Sequence, residues 1–496
     1  MKFSSWRIGL LVLLLAFFCH LNWNSFNAPF ERDEGQYAYG AWLMTQGKLP
    51  YIDQYEQKPP MIFYPYLIAL AINPSAVWAP HLVAAISFFI SIILVGLVAW
   101  REWGERAGWL AAFLTPTIIM LPRLAPFAAN TEKFLLLPLL ALLTIYVYFR
   151  TRPAAWFWAA FFAVMAVLYK QIALLIVFYI LLVWFISLKN NKEKLACLGW
   201  SLAGAGLSFI IFTGYFFWRG AWPYFWESAI WYNKFYLQST GGLTLQHFFS
   251  HVKYFWAVMP AVILLLGWGM IKRPPRWNFY LGLLGIGLVT VFTSPYGHYY
   301  IMLMPLLALL VAAATKEMRS WLVPGLVVLS VYWPASPIYF VSPNDLTGQV
   351  YGYLNPFVEA PIAGAKVREL TKADDYLFIA GTEQEILYYA KRLTPSQITG
   401  VYALMINSPK AAAYQQKVIA DLERHPPEII LFVRSQLSWL RQPGSPPDIF
   451  RYLQKTLSRD YTMVGGTVRI GNEAFWQAPL KPESMAYCSI MLFRRK

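Results

Sequence analysis

Apolar runs of roughly 16 to 23 residues recur through the first 340 positions of this chain, each near the length that crosses a hydrocarbon core of about 30 Å. That recurrence excludes an ordinary soluble fold. Composition agrees, because charged residues make up 13% of the chain and mean hydropathy is +0.44, whereas a globular chain carries about 25% charge. The chain reads as a polytopic α-helical membrane protein. Spans are expected near 7–26, 80–100, 107–122, 133–149, 155–170, 171–188, 196–218, 253–271, 277–293, 299–315 and 320–338, about eleven in all.

A net charge of +16 in a soluble protein would suggest nucleic acid, but its distribution here points elsewhere. With the N-terminus in the cytoplasm, the inner side receives Lys2, Arg7 and five short loops: REWGER (101–106), RTR (150–152), KNNKEK (189–194), KRPPR (272–276) and KEMR (316–319). These hold 14 Lys/Arg against 4 Asp/Glu, while the outer segments hold 9 against 7. The basicity therefore follows the positive-inside pattern and implies no nucleic-acid partner. An odd number of spans then leaves residues 341–496 outside the cytoplasm. The first span is followed by Asn22, Trp23 and Asn24 without a small-residue cleavage site, so it reads as an uncleaved anchor. Cys19, Cys197 and Cys488 cannot easily meet in this topology, and neither a disulfide nor a Cys-based metal site is expected.

Two parts are expected, a transmembrane part over 1–340 and a tail over 341–496. The first outer loop, 24–79, is long and aromatic. Trp42, Tyr51, Phe63, Tyr64 and Tyr66 suit a membrane–water boundary, which predicts one or two interfacial helices along the outer leaflet. The aromatic segment 219–252 is placed at the same level. In the tail, DYLFIAG (375–381) reads as a strand followed by a helix, EQEILYYAKR (383–392). A second strand is expected near QITGVYALMI (397–406), then a helix over KAAAYQQKVIADLERH (410–425) and a strand over PEIILFV (427–433). The alternation predicts a small extracytoplasmic α/β domain. No Gly-rich phosphate loop follows its first strand, which favours an accessory role.

Four outer clusters gather ionisable residues at span ends: ERDEGQY (31–37), YEQKPP (55–60), PRLAPFAANTEKF (122–134) and SPYGHYY (294–300). The Lys170–Gln171 junction joins them. Singly, each has a bland explanation. Outer carboxylates are usually just hydrated, KPP is a common helix start, Asn130 or Thr131 can cap a helix bearing Glu132, and His298 can bond backbone alone. Lys170 resists dismissal, because an ionisable group inside an apolar stretch is costly.

Together the clusters resemble the GT-C superfamily of membrane glycosyltransferases, in its protein O-mannosyltransferase and lipid A aminoarabinose transferase branch. The resemblance rests on the acidic pair Asp33–Glu34 after the first span and on the run YAYGAWLMTQGKLPYIDQYEQKPPMIFY, with its Lys58-Pro-Pro. Asn130–Glu132, Lys170–Gln171 and Gly297-His298-Tyr299-Tyr300 extend the match, which covers roughly residues 5 to 320. Two positions depart from the aminoarabinose branch: Gln36 stands where an arginine is usual, and Gln57 where a glutamate precedes the lysine, with Glu56 one place earlier.

The resemblance implies transfer of a sugar from a polyprenyl phosphate, with inversion, to a lipid, glycan or protein hydroxyl at the outer face of a bacterial cytoplasmic membrane. Asp33 would be the general base. Lys58, with Arg123, Lys170, His298 and Tyr299 as helpers, would hold the leaving phosphate. Glu34 and Glu132 would position the acceptor or hold the cations, with Gln36, Tyr37, Glu56 and Asn130 supporting the loop. No dedicated metal-ligand set is present, although Asp33 and Glu132 have the chemistry to share a divalent cation. A polymerase or ligase using a lipid-diphosphate donor usually relies on outer arginines and a histidine rather than an early acidic pair. A transporter would place its ionisable residues at the midplane.

Overall fold

The computed structural model describes residues 5–239, 245–318 and 320–496. Lys2 and Arg319, counted in the charge asymmetry, lie outside them, as do residues 240–244 of the aromatic outer segment.

Helices α1 (Ser5–Asn22), α2 (Arg32–Thr45), α3 (Phe63–Ile72), α4 (Trp78–Trp103), α5 (Glu105–Ile119), α6 (Thr131–Phe149), α7 (Ala155–Tyr169), α8 (Leu174–Ser187) and α9 (Asn191–Trp218) open the chain. The α4–α5, α4–α6, α6–α7 and α7–α9 pairs pack side by side. Their turns follow from local chemistry. Gly104, at φ 95°, supplies the left-handed residue between α4 and α5. Asn130 caps α6 by accepting the Thr131 N–H at 3.0 Å.

Six described helices are long and apolar enough to cross a membrane, or seven if one bent pair counts as a single span. The remaining expected spans fall on shorter helices, such as α7 and α8. The span expected at 253–271 is corrected: it breaks into Leu245–Val258 and Pro260–Lys272, which meet at 101°. Pro260 has no N–H to continue the first helix, and it biases Met259 away from helical geometry. The outward faces are apolar. Only 17% of the most apolar stretch of α9 is buried, and Leu202, Ile210 and Ile211 point away from the protein. Lipid is the environment that covers such a face without cost.

The aromatic helix of the first outer loop has a different setting from the one expected. Tyr37, Ala38, Tyr39 and Ala41 of α2 are all buried, because α2 is clamped between the helical body and the tail. Gly35 makes the fit, since a Cβ there would come within 2.4 Å of the Glu385 backbone. In α3, by contrast, Ile68 and Ile72 stay exposed.

The tail carries a five-stranded sheet of order β1-β2-β5-β3-β4. β1 (Leu377–Ala380) and β2 (Ile429–Val433) run parallel, while β3 (Tyr461–Ile470), β4 (Glu473–Gln477) and β5 (Cys488–Arg495) pair antiparallel. The strand expected over 397–406 is corrected: Tyr402–Met405 is a short helix whose four residues are all buried. The apolar content of QITGVYALMI serves packing against Phe378, Ile430 and Tyr414 of the tail and Tyr55 and Tyr232 of the helical body, not a sheet ladder.

Candidate active site

A cavity of about 500 Å³ opens where one end of the helical body meets the tail. Asp33 lies one residue into α2, whose start is set by a reciprocal cap. The Glu31 carboxylate accepts the N–H groups of Asp33 (3.0 Å) and Glu34 (3.1 Å), and Glu34 accepts the Glu31 N–H at 3.2 Å. This leaves the Asp33 carboxylate to face the cavity, with Lys58 Nζ 3.9 Å from its Oδ2. Burial alone would lower the Lys58 pKa, but Asp33, then Tyr299 and Glu56, outweigh it and hold the ammonium above the usual lysine range.

Of the residues anticipated from sequence, Asp33, Gln36, Lys58, Arg123, Asn130, His298 and Tyr299 line the cavity. Gly297 lets the His298 segment pass against Arg123, for a Cβ there would overlap the Arg123 carbonyl oxygen. Arg123 itself donates to Ser250 Oγ at 2.8 Å.

Glu132 and Lys170 sit one layer behind. They form a buried ion pair, and Glu132 Oε1 also lies 3.8 Å from His298 Nε2. Lys170 Nζ stands 3.4 Å from the Tyr299 ring centroid, so the pair props both cavity residues of that segment. Glu132 Oε2 accepts from Thr131 Oγ1 at 2.8 Å, and the carboxylate thus has both oxygens committed to protein groups. Among the described residues no cluster of three or more His, Cys, Asp and Glu is arranged to hold a metal ion.

Glu34 is buried beneath the cavity. Its Oε1 meets His81 Nε2 at 2.8 Å and the Ala129 N–H at 2.5 Å, tying α2 to α4 and to the loop before α6. Tyr37 is fully buried and its hydroxyl has no hydrogen-bond partner. Glu56 accepts the Lys58 N–H at 2.9 Å; burial, opposed by Lys58, raises its pKa to about 7. Gln36 Nε2 donates to the Tyr55 carbonyl and to the Tyr402 hydroxyl, each at 3.1 Å.

Several cavity residues went unnoticed in the sequence. Arg32 pairs with the buried Glu383 at 3.0 Å and so joins the start of α2 to the tail. Asn355, Phe357, Thr382, Tyr402 and Leu437 bring the tail into the cavity wall, and no local pattern announces that docking. His81 did carry a signal, being an ionisable residue at the start of an apolar span.

The chain is a mostly helical protein with several helices long and apolar enough to cross a membrane, a small C-terminal sheet and a polar cavity between the two. Among solved structures, ArnT from Cupriavidus metallidurans bound to undecaprenyl phosphate superposes with a TM-score of 0.60, at 15% identity over 98% of each chain. The apo state of the same ArnT gives 0.59 at 14% identity, again over 98% of each chain. Archaeal oligosaccharyltransferase AglB from Archaeoglobus fulgidus, in complex with an inhibitory peptide and a dolichol-phosphate, gives 0.52 at 12% identity over 96% of this chain and 74% of its own. No family model and no curated protein matches the chain by sequence.

Proposed function

We propose that the chain is an inverting glycosyltransferase that moves a sugar from a polyprenyl-phosphate donor to an acceptor hydroxyl at the outer face of the cytoplasmic membrane. The observation that carries this reading is the convergence of the Asp33 carboxylate with Lys58, Arg123 and His298 on a single cavity. Two neighbours in fold hold undecaprenyl phosphate and dolichol-phosphate, which supports a lipid phosphate as the donor's leaving group.

Asp33 takes the proton of the acceptor hydroxyl as that oxygen bonds to the anomeric carbon from the face opposite the phosphate. The carbon–oxygen bond to the phosphate breaks, and its electron pair leaves with the polyprenyl phosphate, which gains one negative charge. A carboxylate suffices as base because proton transfer comes late, once the sugar has oxocarbenium character. The new charge on the phosphate is met by Lys58, Arg123 and His298, groups aimed where charge develops in the transition state. Glu132 and Lys170 position His298 and Tyr299, and Glu34 with His81 holds α2 in place. The N-terminus lies in the cytoplasm, and the tail stands outside as one wall of the site. The acceptor is a hydroxyl of a lipid, glycan or protein.

The test supplies membranes with radiolabelled polyprenyl-phosphate sugars and compares the chain with its Asp33→Asn variant. Transfer is expected to fall by about 10²–10⁴-fold, and transfer unchanged by the substitution removes Asp33 as the base.

A further inference from the structure

A second polar cavity lies at the opposite end of the same helices. Its volume is about 350 Å³, and it is lined by Arg101, Glu102, Tyr148, Arg150, Thr151 and Arg276. α6 fixes its distance from the first site. Its nineteen residues, Thr131–Phe149, lie between Asn130, at the outer cavity, and Arg150, its C-terminal cap, a rise of about 28 Å at 1.5 Å per residue. That rise is about one hydrocarbon core. The cavity therefore stands at the level of lipid headgroups on the far face.

Its charges are not self-neutralised. Arg276 pairs with Glu102 and lies against the rings of Tyr146 (5.0 Å) and Phe279 (5.2 Å). Its backbone is left-handed, at φ 62°, a conformation that a side chain of this size rarely adopts. Arg101 and Arg150 have no ion-pair partner among the described residues, and Arg101 rests only against the Tyr148 ring at 5.8 Å. Tyr148 donates to the Leu97 carbonyl at 2.9 Å and so fixes the gap between α4 and α6. Two tryptophans bond backbone at the same level, Trp184 to the Arg150 carbonyl and Trp103 to the Pro275 carbonyl, each at 3.0 Å. Indoles favour that depth in a bilayer.

We propose that this cavity binds the phosphate of an anionic phospholipid headgroup, with Arg101 and Arg150 as its direct partners and Arg276 as the fixed third cation. Guanidinium groups present paired N–H donors that match phosphate oxygens. Basic pockets between spans on the inner face suit anionic headgroups. The acyl chains would lie along the neighbouring apolar helix surfaces, which a free anion has no use for. The inference is independent of the chemistry proposed for the outer cavity.

The test uses the full chain, delipidated in mild detergent and offered phosphatidylglycerol or phosphatidylcholine, with bound lipid counted by native mass spectrometry. Phosphatidylglycerol is expected to be retained over phosphatidylcholine, with that preference falling about tenfold in the Arg101→Gln, Arg150→Gln double variant. Both arginines are exposed, so the variant loses no buried partner. Arg152→Gln, which removes a charge from the same loop but not from the cavity, is expected to leave the preference intact. An undiminished preference in the double variant, or an equal loss in Arg152→Gln, overturns the site. Displacement of the lipid by millimolar inorganic phosphate at matched ionic strength makes it a free-anion site instead and overturns the lipid assignment.

Discussion

Glu132, at the head of α6, and Lys170, at the end of α7, share a buried ion pair that stands directly behind His298 and Tyr299. Breaking such a pair from one side leaves an uncompensated charge, at a cost of about 3–5 kcal/mol. Lys170→Met alone and Glu132→Gln alone should each lower the thermal unfolding midpoint. The double variant should lose less than the sum of the two, the signature of coupled residues. Additive losses would mean that the two side chains act independently.

Lys58 is the cation nearest Asp33. Lys58→Gln keeps a polar side chain but removes the charge proposed to meet the leaving phosphate. Turnover should drop by about 10²–10³-fold, the scale seen when one transition-state donor is lost. The expected pattern is a fall in kcat larger than any rise in KM. A rise in KM alone would make Lys58 a ground-state binding group.

Glu56 gives a stability term with a definite sign. Its carboxyl is raised from the ordinary 4.5 to about 7, by burial above all. Between those values the folded chain keeps a proton that the unfolded chain releases. Stability from this group is therefore present at acid pH and declines as pH rises toward about 7, by up to about 3 kcal/mol. Unfolding midpoints measured from pH 5 to 8 should fall along this limb, and Glu56→Gln should flatten it. An unchanged profile in the variant would assign the limb to another group.

Gly35→Ala tests the clamp on α2. The added methyl would meet Glu385 at 2.3 Å, against Cβ and backbone atoms that cannot swing aside. Overpacking of this kind costs about 1–3 kcal/mol. Limited proteolysis should show the tail released sooner, with transfer falling in parallel. Tail protection and activity both at the level of the unaltered chain would show that the interface yields without consequence.

What the sequence disclosed follows from the range of the forces involved. Apolar runs long enough to cross lipid are local signals, and each expected span falls on a described helix, apart from the break at Met259. Asp33 and Lys58 were legible because they are close in sequence and belong to one loop motif. Trp42 of α2 was assigned to the membrane boundary because a sequence does not say what will cover a helix; here the protein itself covers the neighbouring Tyr37 and Tyr39. Arg32 looked idle for the same reason, since its partner Glu383 is 351 positions away. QITGVYALMI has the composition of a strand, yet its burial comes from tertiary packing, mostly on residues of the tail such as Phe378, Ile430 and Tyr414, which no local periodicity encodes.

The order of the tail sheet sets a rule of timing for the cavity. β5, the most C-terminal strand, is its middle member and bonds both β2 and β3. Thr382 and Leu437, which follow β1 and β2 in the chain, are wall residues of the cavity. As the chain is made, residues 31–58 emerge early with Asp33 and Lys58 in hand, but their opposite wall has no finished sheet to rest on until β5 arrives. A chain interrupted before Cys488 would carry Asp33 and Lys58 without a finished wall to enclose them. Closure of the sheet and enclosure of the cavity are thereby the same event.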